Sequence, residues 1–139
     1  MTIQELSDKI QAIALDDVQL RSYFVGNTWD MSNGKEDTYP NLWLELPVLL
    51  EYNGQNRLYK TFTFSVDILM MPELDNVPDE LDKISQCEIY ADQFLQYLSQ
   101  DSDFTLLNFP SAITVKTINA DQACGVRLDI KVNTGRVCL

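Results

Sequence analysis

Residues 39–71 read YPNLWLELPVLLEYNGQNRLYKTFTFSVDILMM, and this stretch decides the fold. Apolar side chains recur at every second residue in both halves, which are joined by the polar residues 53–56. Such alternation is typical of half-buried β-strands, with one face on a core and the other facing outward. The pair Asn53 and Gly54 favours a hairpin, because type I′ turns need positive φ at both central residues. The stretch therefore predicts two long antiparallel strands around a tight turn.

Length and composition predict a single domain over residues 1–139, large enough to bury about two thirds of its unfolded surface. The hydrophobic content of 45% excludes a disordered tail. No apolar run approaches the roughly 18 residues that a membrane span needs, so we predict no membrane association. The first residues are acidic where a signal peptide would be basic, which favours a cytosol-like compartment.

The sequence offers little for catalysis. Histidine is absent, which removes Ser-His-Asp and Cys-His catalysis and most zinc sites. The dispersed glycines form no phosphate-binding loop. Three cysteines (Cys87, Cys124 and Cys138) are an odd number without a C-x-x-C spacing, so we interpret them as incidental thiols. We therefore predict no catalytic residues, no cofactor and no metal, and a protein that is not an enzyme.

The charge is strongly acidic, with a formal net charge of −11. Residues 73–103 hold nine acids and one base, Lys83. A field of this sign repels nucleic acid, which argues against conventional DNA or RNA binding. Three interpretations stay open: a solvated face, a surface that nucleic acid passes without adhering, and mimicry of nucleic acid.

The N-terminal third begins with a predicted helix and ends in a long loop. Thr2 and Glu5 have the spacing of a capping box, and apolar residues follow at helical spacing. Alternation then predicts a strand over residues 18–25. Residues 26–40 form a polar loop of a length that is usually functional or mobile. Trp29 and Met31 stand out in this loop: large apolar groups in polar loops often anchor a partner, and the alternative is that both fold back over the hairpin core.

The middle of the chain predicts a proline-marked edge and a second helix. Pro47 cannot donate a ladder hydrogen bond, so it indicates an edge, a bulge or a kink near mid-strand. Residues 72–79 form an acidic connector, and Asp79 is the expected N-cap of an amphipathic helix over about five turns.

The C-terminal part returns to strand patterns. A short strand is expected at residues 104–107, closed by Pro110, and two more are expected at 113–117 and 126–132. Gly125 is expected to mark a bulge at the entry of the last strand. The whole order predicts the α+β class, as a mostly antiparallel sheet built from hairpins with two helices on one face.

The layout carries a resemblance to a known class of proteins. Residues 38–45 (TYPNLWLE) enter the first long strand, and residues 61–66 (TFTFSV) lie in the second. An acidic connector leads into a helix with residues 92–95 (DQFL), and residues 124–132 (CGVRLDIKV) end the pattern. Taken together, these phrases resemble the small neck and tail proteins of tailed phages, including crAss-like phages of gut bacteria. Some of those proteins have the layout of tail-terminator or tail-completion proteins.

The resemblance implies a structural virion protein, assembled in the host cytoplasm, that forms a sixfold or twelvefold ring. As a tail terminator or head–tail connector, such a ring seals the capsid–tail junction and passes DNA. Its expected partners are copies of itself, other neck and tail proteins, and DNA that only moves through the channel. The residues expected at subunit contacts are Trp29, Met31, Tyr39, Trp43 and Pro47. The residues expected to face the channel are Glu73, Asp75, Asp79, Glu80 and Asp82.

Two other functions remain open from the sequence. An acidic mimic of nucleic acid would occupy a host nuclease or DNA-binding protein as a monomer or small dimer. An enzyme would require a deep pocket with perturbed acids, or with one of the cysteines at its mouth.

Overall fold

A computed structural model describes residues 1–27, 38–54, 58–73, 75–116 and 123–136. In this part of the chain, helices pack on one face of a six-stranded sheet. The elements, in chain order, are α1 (Ile3–Ala12), a π-helical turn (Ile13–Asp17), β1 (Ser22–Gly26), β2 (Asn41–Glu45), β3 (Leu49–Asn53), β4 (Tyr59–Met70), α2 (Val77–Gln100), β5 (Thr105–Lys116) and β6 (Cys124–Arg136).

The sheet has the strand order β1-β2-β4-β6-β5, and β3 pairs with β4 beyond the end of β2. β1 runs parallel to β2, and every other pairing is antiparallel. The predicted α+β class, with a mostly antiparallel sheet and helices on one face, is confirmed. The parallel β1–β2 pair departs from the expectation of hairpins throughout.

The main core lies between the helices and the sheet. α2 buries Cys87, Ala91, Phe94 and Leu98, whose spacing of four, three and four residues is one face of an α-helix. They pack on the even-numbered side chains of the central strands, such as Phe62, which is fully buried. The predicted amphipathic helix is thereby confirmed.

The start of α2 differs from the sequence prediction. Asn76, not Asp79, is the N-cap: its side-chain oxygen accepts a hydrogen bond from the backbone N–H of Asp79 at 3.1 Å. Asp79 therefore lies inside the first turn, where its charge favours the positive end of the helix dipole. The helix begins at Val77, so the connector is shorter than residues 72–79.

The N-terminal helix keeps its predicted cap, since the Thr2 hydroxyl accepts from the Glu5 backbone N–H at 3.2 Å. The strand predicted at residues 18–25 is wrong at its start. The backbone N–H of Val18 donates to Ile13 and that of Leu20 donates to Ala14, both at 2.9 Å. These bonds end the helix, so the strand begins only at Ser22.

The first long strand of the predicted hairpin is divided at Pro47. Leu44 pairs with Val66, whereas Leu49 pairs with Thr63, so residues 45–48 lie opposite residues 64–65. This break is the kink that Pro47 predicted, and the peptide bond before Pro47 is cis.

The hairpin itself is confirmed, but its turn is longer than two residues. Asn53 pairs with Tyr59, which leaves residues 54–58 as the connection. A type I′ turn centred on Asn53 and Gly54 would instead pair Tyr52 with Gln55. Gly54 does take positive φ, at +118°.

The C-terminal hairpin corrects two predictions. The two strands expected at 104–107 and 113–117 are one strand, β5, interrupted by an irregularity at residues 108–110. Gly125 marks no bulge, because it pairs in regular register with Leu69. A Cβ atom at Gly125 would overlap the carbonyl oxygen of Ile68, so glycine permits a close approach of the two backbones there.

Candidate functional site

The five residues predicted at subunit contacts differ in where they lie. Trp29 and Met31 lie outside the described residues. Tyr39 and Trp43 are buried on the sheet face opposite the helices, where the Trp43 ring stacks on Phe24 at 4.8 Å between centroids. Tyr39 and Trp43 are 8% and 6% exposed within the chain, and their contact with a second subunit stays a prediction.

Pro47 has a different position, at the wall of an open cleft of about 370 Å³. Residues 46–49 form the apolar side of the cleft, and Glu45, Arg127 and Asp129 contribute its charged side. The cleft exists because the break at Pro47 separates residues 45–48 from β4. Pro47 therefore shapes a recess at the edge of the sheet.

Among the described strands, β1, β3 and β5 lie at edges of the sheet. Within the described residues, no strand pairs with the outer side of β3 or of β5. On β5, Phe109 is 98% exposed and Ile113 is 60% exposed. On β3, Leu49 and Tyr52 are also exposed by more than half. The β3 and β5 edges thus combine unpaired backbone groups with apolar side chains, which is the combination that accepts another chain.

Sequence reasoning missed Phe109 because Pro110 was interpreted as the end of a strand. The structure places Asn108, Phe109 and Pro110 opposite Ile130, as extra residues in a strand that continues. Prolines in sheets are confined to edge strands, strand starts and bulges. An edge strand with a bulge at Pro110 was therefore the available signal.

A buried carboxyl pair, Glu45 and Asp67, lies on the same sheet face as Trp43. Glu45 is 7% exposed and Asp67 is 4% exposed. The Oδ2 atom of Asp67 is buried and has no hydrogen-bond partner among the described residues, so burial disfavours ionisation of both carboxyls at once. Burial is the main cause that raises the pKa of Asp67, to about 8, and the neighbouring Glu45 carboxylate raises it further.

Arg127 partly compensates the charge of this pair. Its Nε lies 2.9 Å from Glu45 Oε2 and 3.6 Å from Asp129 Oδ1. Its Nη2 donates to the Ser65 hydroxyl at 3.3 Å, and that hydroxyl donates to Asp129 at 2.5 Å. The arrangement can hold a proton between two carboxyls. Glu45 reaches the cleft, whereas Asp67 does not line it.

The sequence did not single out this pair. Alternation placed Glu45 and Asp67 on the outward face of the sheet, where acids are ordinarily solvated. Cross-strand pairing brings them together: Asp67 lies opposite Trp43 on one side and Arg127 on the other. Only the register between three strands could have shown this.

Two of the five acids expected to face a channel, Asp79 and Glu80, are paired and have side chains that are only 22% and 24% exposed. Asp79 accepts a hydrogen bond from the Glu73 backbone N–H and pairs with Lys83 at 3.7 Å. Glu80 pairs with Lys116 at 3.1 Å, which ties α2 to β5. These two carboxylates hold the beginning of α2 in place.

The other three acids are more available to solvent. Asp82 has a side chain that is 77% exposed, and Glu73 and Asp75 are exposed beside the start of the helix. Glu88 and Asp92 are also exposed on α2, although the sequence analysis did not select them. The exposed acids therefore extend along the outer side of the helix.

The two described cysteines, Cys87 and Cys124, are buried. Burial raises the pKa of Cys87 to about 12 and that of Cys124 to about 11, so neither is a ready nucleophile. Cys138 lies outside the described residues. In the part of the chain that is described, no group of three or more His, Cys, Asp or Glu residues is arranged to hold a metal ion.

No protein-family model matches this sequence, and no curated protein matches it. Among the described helices, none is long and apolar enough to cross a membrane.

Proposed function

We propose that this chain is a structural virion protein that forms a ring in the neck or tail of a tailed phage. As a tail terminator or head–tail connector, it seals the junction between capsid and tail and lets DNA pass. The observation that carries the proposal is the pair of open sheet edges, β3 and β5, which lie on opposite sides of β4 in one sheet.

The chemistry of both edges supports contact with another copy. Edge strands are ordinarily protected by charged side chains, above all lysine. The twelve residues of β5 contain one charged residue, Lys116, and the five residues of β3 contain one, Glu51. The irregularity at residues 108–110 leaves a regular stretch at 111–116 open for pairing.

The placement of the edges supports a ring rather than a symmetric dimer. Contact between β5 of one copy and β3 of the next joins two different surfaces. Repeated head-to-tail contacts of this kind close into rings when the rotation between neighbours permits it. Phe109 and Tyr52 supply aromatic anchors, which are enriched among the residues that dominate interface energies.

The exposed acids support passage of DNA without adhesion. Asp82, Glu73 and Asp75 are the described members of the expected channel set that keep most of their exposure. A surface of that sign repels phosphates. In this role the protein needs no active site; its partners are its own copies, other neck and tail proteins, and DNA in transit.

The proposal is tested by the mass and shape of the purified protein, using light scattering and negative-stain imaging. We expect particles of six or twelve times the 15.9 kDa of one chain. The variant Phe109→Ser should reduce the ring fraction by at least tenfold. It should leave the thermal unfolding midpoint of the single chain unchanged, because the side chain is 98% exposed.

The matched control is Ile89→Ser, which removes an exposed apolar side chain of similar character from the outer face of α2, away from both edges. This variant should assemble as the wild-type chain does. The proposal fails if the wild-type chain stays monomeric at every concentration and with every phage neck or tail protein offered to it. It also fails if both variants lose assembly equally, since the edge would then have no special role.

The acidic mimic has less support in the geometry. A mimic needs unpaired carboxylates spaced like phosphates, and Asp79 and Glu80 are already paired with Lys83 and Lys116. A monomer that binds a basic nuclease tightly, and loses that binding in an Asp82→Asn, Glu88→Gln double variant, would favour the mimic over the ring.

A further inference from the structure

The carboxyl pair of Glu45 and Asp67 joins two strands at a weak point of the sheet. Glu45 is the last residue of β2, directly before the break at Pro47, and Asp67 lies in β4. β2 pairs with β4 over four residue pairs, from Asn41 with Leu69 to Leu44 with Val66. β1 in turn is held in the sheet by its pairing with β2.

A hydrogen bond between the two carboxyl groups requires one proton. Two ionised carboxylates have acceptors but no donor between them. Both residues are at least nine-tenths buried, and Asp67 does not line the cleft, so its carboxyl has little access to water that could replace the lost donor. Loss of the proton therefore leaves two buried carboxylates on neighbouring strands that repel each other.

The surrounding charges do not cancel that repulsion. Among the described residues, the charged groups that act on Asp67 are Glu45 from β2 and Arg127 and Asp129 from β6. With the proton in place, two carboxylates and one guanidinium give this cluster a net charge of −1. Without the proton, three carboxylates and one guanidinium give −2. The uncharged neighbours are Ser65 on β4, and Trp43, which lies opposite Asp67 on β2.

We propose that the carboxyl pair is a proton-dependent contact that holds β2, and with it β1, against β4. When the proton leaves, β2 separates locally from β4 and the stacked rings of Phe24 and Trp43 lose their packing. The adjacent break at Pro47, which shapes the β3 edge and its cleft, loosens with them. The inference concerns one copy of the chain and does not depend on ring assembly.

The pH range of the change follows from the chemistry of Asp67. Its pKa in the folded chain is about 8, against 3.8 for an unperturbed group. The folded state therefore binds this proton more tightly than the unfolded state. The contribution of Asp67 to the free energy of unfolding is largest below about pH 4. It decreases steadily as the pH rises and is lost by about pH 8.

The test uses Trp43 as a local probe. The sequence contains two tryptophans, so the variant Trp29→Phe leaves Trp43 as the single one. Acrylamide quenching of Trp43 emission is measured from pH 6 to pH 9.5 in that background. We expect quenching to rise at least twofold, with a midpoint near pH 8.

The decisive comparison is Asp67→Asn, whose side-chain amide donates to Glu45 at every pH. In this variant quenching should stay low and constant across the range. The urea concentration at the unfolding midpoint, which should decrease between pH 6 and pH 8 in the wild-type chain, should not decrease in the variant. Should Asp67→Asn fail to fold, Glu45→Gln removes the neighbouring charge and supplies an amide that can donate to ionised Asp67. Because burial still raises the pKa of Asp67, the rise in quenching should become smaller and move to lower pH.

The matched control is Asp129→Asn, which removes an exposed acid from the same cluster but leaves the pair intact. Because the Asp129 carboxylate raises the pKa of Asp67, the transition should persist and move to lower pH. Equal quenching of wild type and Asp67→Asn at every pH overturns the inference. So does a transition that survives unchanged in both Asp67→Asn and Glu45→Gln.

Discussion

Asp79 and Asp82 lie three residues apart on α2 and should differ sharply when each is replaced by alanine. Asp79 is in contact with the chain around it: it accepts from the Glu73 backbone N–H and pairs with Lys83. Asp82 has a side chain that is 77% exposed, and its contact with Lys83 is long, at 3.9 Å. Asp79 is thus held by the chain around it, whereas the Asp82 carboxylate is largely solvated.

The expected cost follows from these contacts. A hydrogen bond to a charged acceptor contributes about 1.5 kcal/mol or more to the free energy of unfolding. An i,i+4 ion pair on a helix adds about 0.4 kcal/mol. Both variants gain the same helix propensity from alanine, so that gain cancels in the comparison. Asp79→Ala should therefore be less stable than Asp82→Ala by about 2 kcal/mol.

The assay is urea unfolding followed by far-ultraviolet circular dichroism at pH 7, with both variants at the same low concentration so that assembly does not contribute. A difference of this size should also lower the thermal midpoint by about 6 °C. Asp82→Ala should match the wild-type chain within about 0.5 kcal/mol. If the two variants are equally stable, the contacts of Asp79 contribute nothing, and our division of the acids into held and solvated ones is mistaken.

Two further predictions follow from the core. Gly125→Ala should destabilise the chain by about 3 kcal/mol in urea unfolding, because the added methyl group overlaps the backbone of Ile68; a neutral effect would show that the backbones separate easily there. In a Cys138→Ser variant, Cys87 and Cys124 should not react with a thiol reagent at pH 8 until urea unfolds the chain, since burial keeps both thiols protonated; rapid reaction of the native protein would contradict their burial.

The sequence predicted those features that depend on local periodicity. The stripe of α2 that contains Phe94, the cap at Thr2 and the alternation of β4 all follow from neighbours within a few residues. The break at Pro47 was predictable for the same reason, since proline lacks the N–H that a ladder needs.

The features that the sequence did not predict depend on register between distant strands. Asp67 meets Glu45 because β2 and β4 pair with a particular offset, and Arg127 joins them from a third strand. The parallel β1–β2 pair likewise depends on how the chain returns to the sheet. The exposure of Phe109 could be predicted only if β5 was known to lie at an edge of the sheet. Alternation shows which residues share a face, but it does not show which residues of another strand they meet.

Two of the irregular points of the sheet, those at Pro47 and at Pro110, share an arithmetic property. At residues 45–48 the chain places four residues opposite two, and at residues 108–110 it places three opposite one. Each point thus adds two residues to one strand, and two is the period of side-chain alternation. Leu44 and Leu50 therefore face the same side of the sheet across the first point, as Leu106 and Ala112 do across the second. A change of one residue at either point would turn every following side chain to the opposite face, so length can vary there only in steps of two.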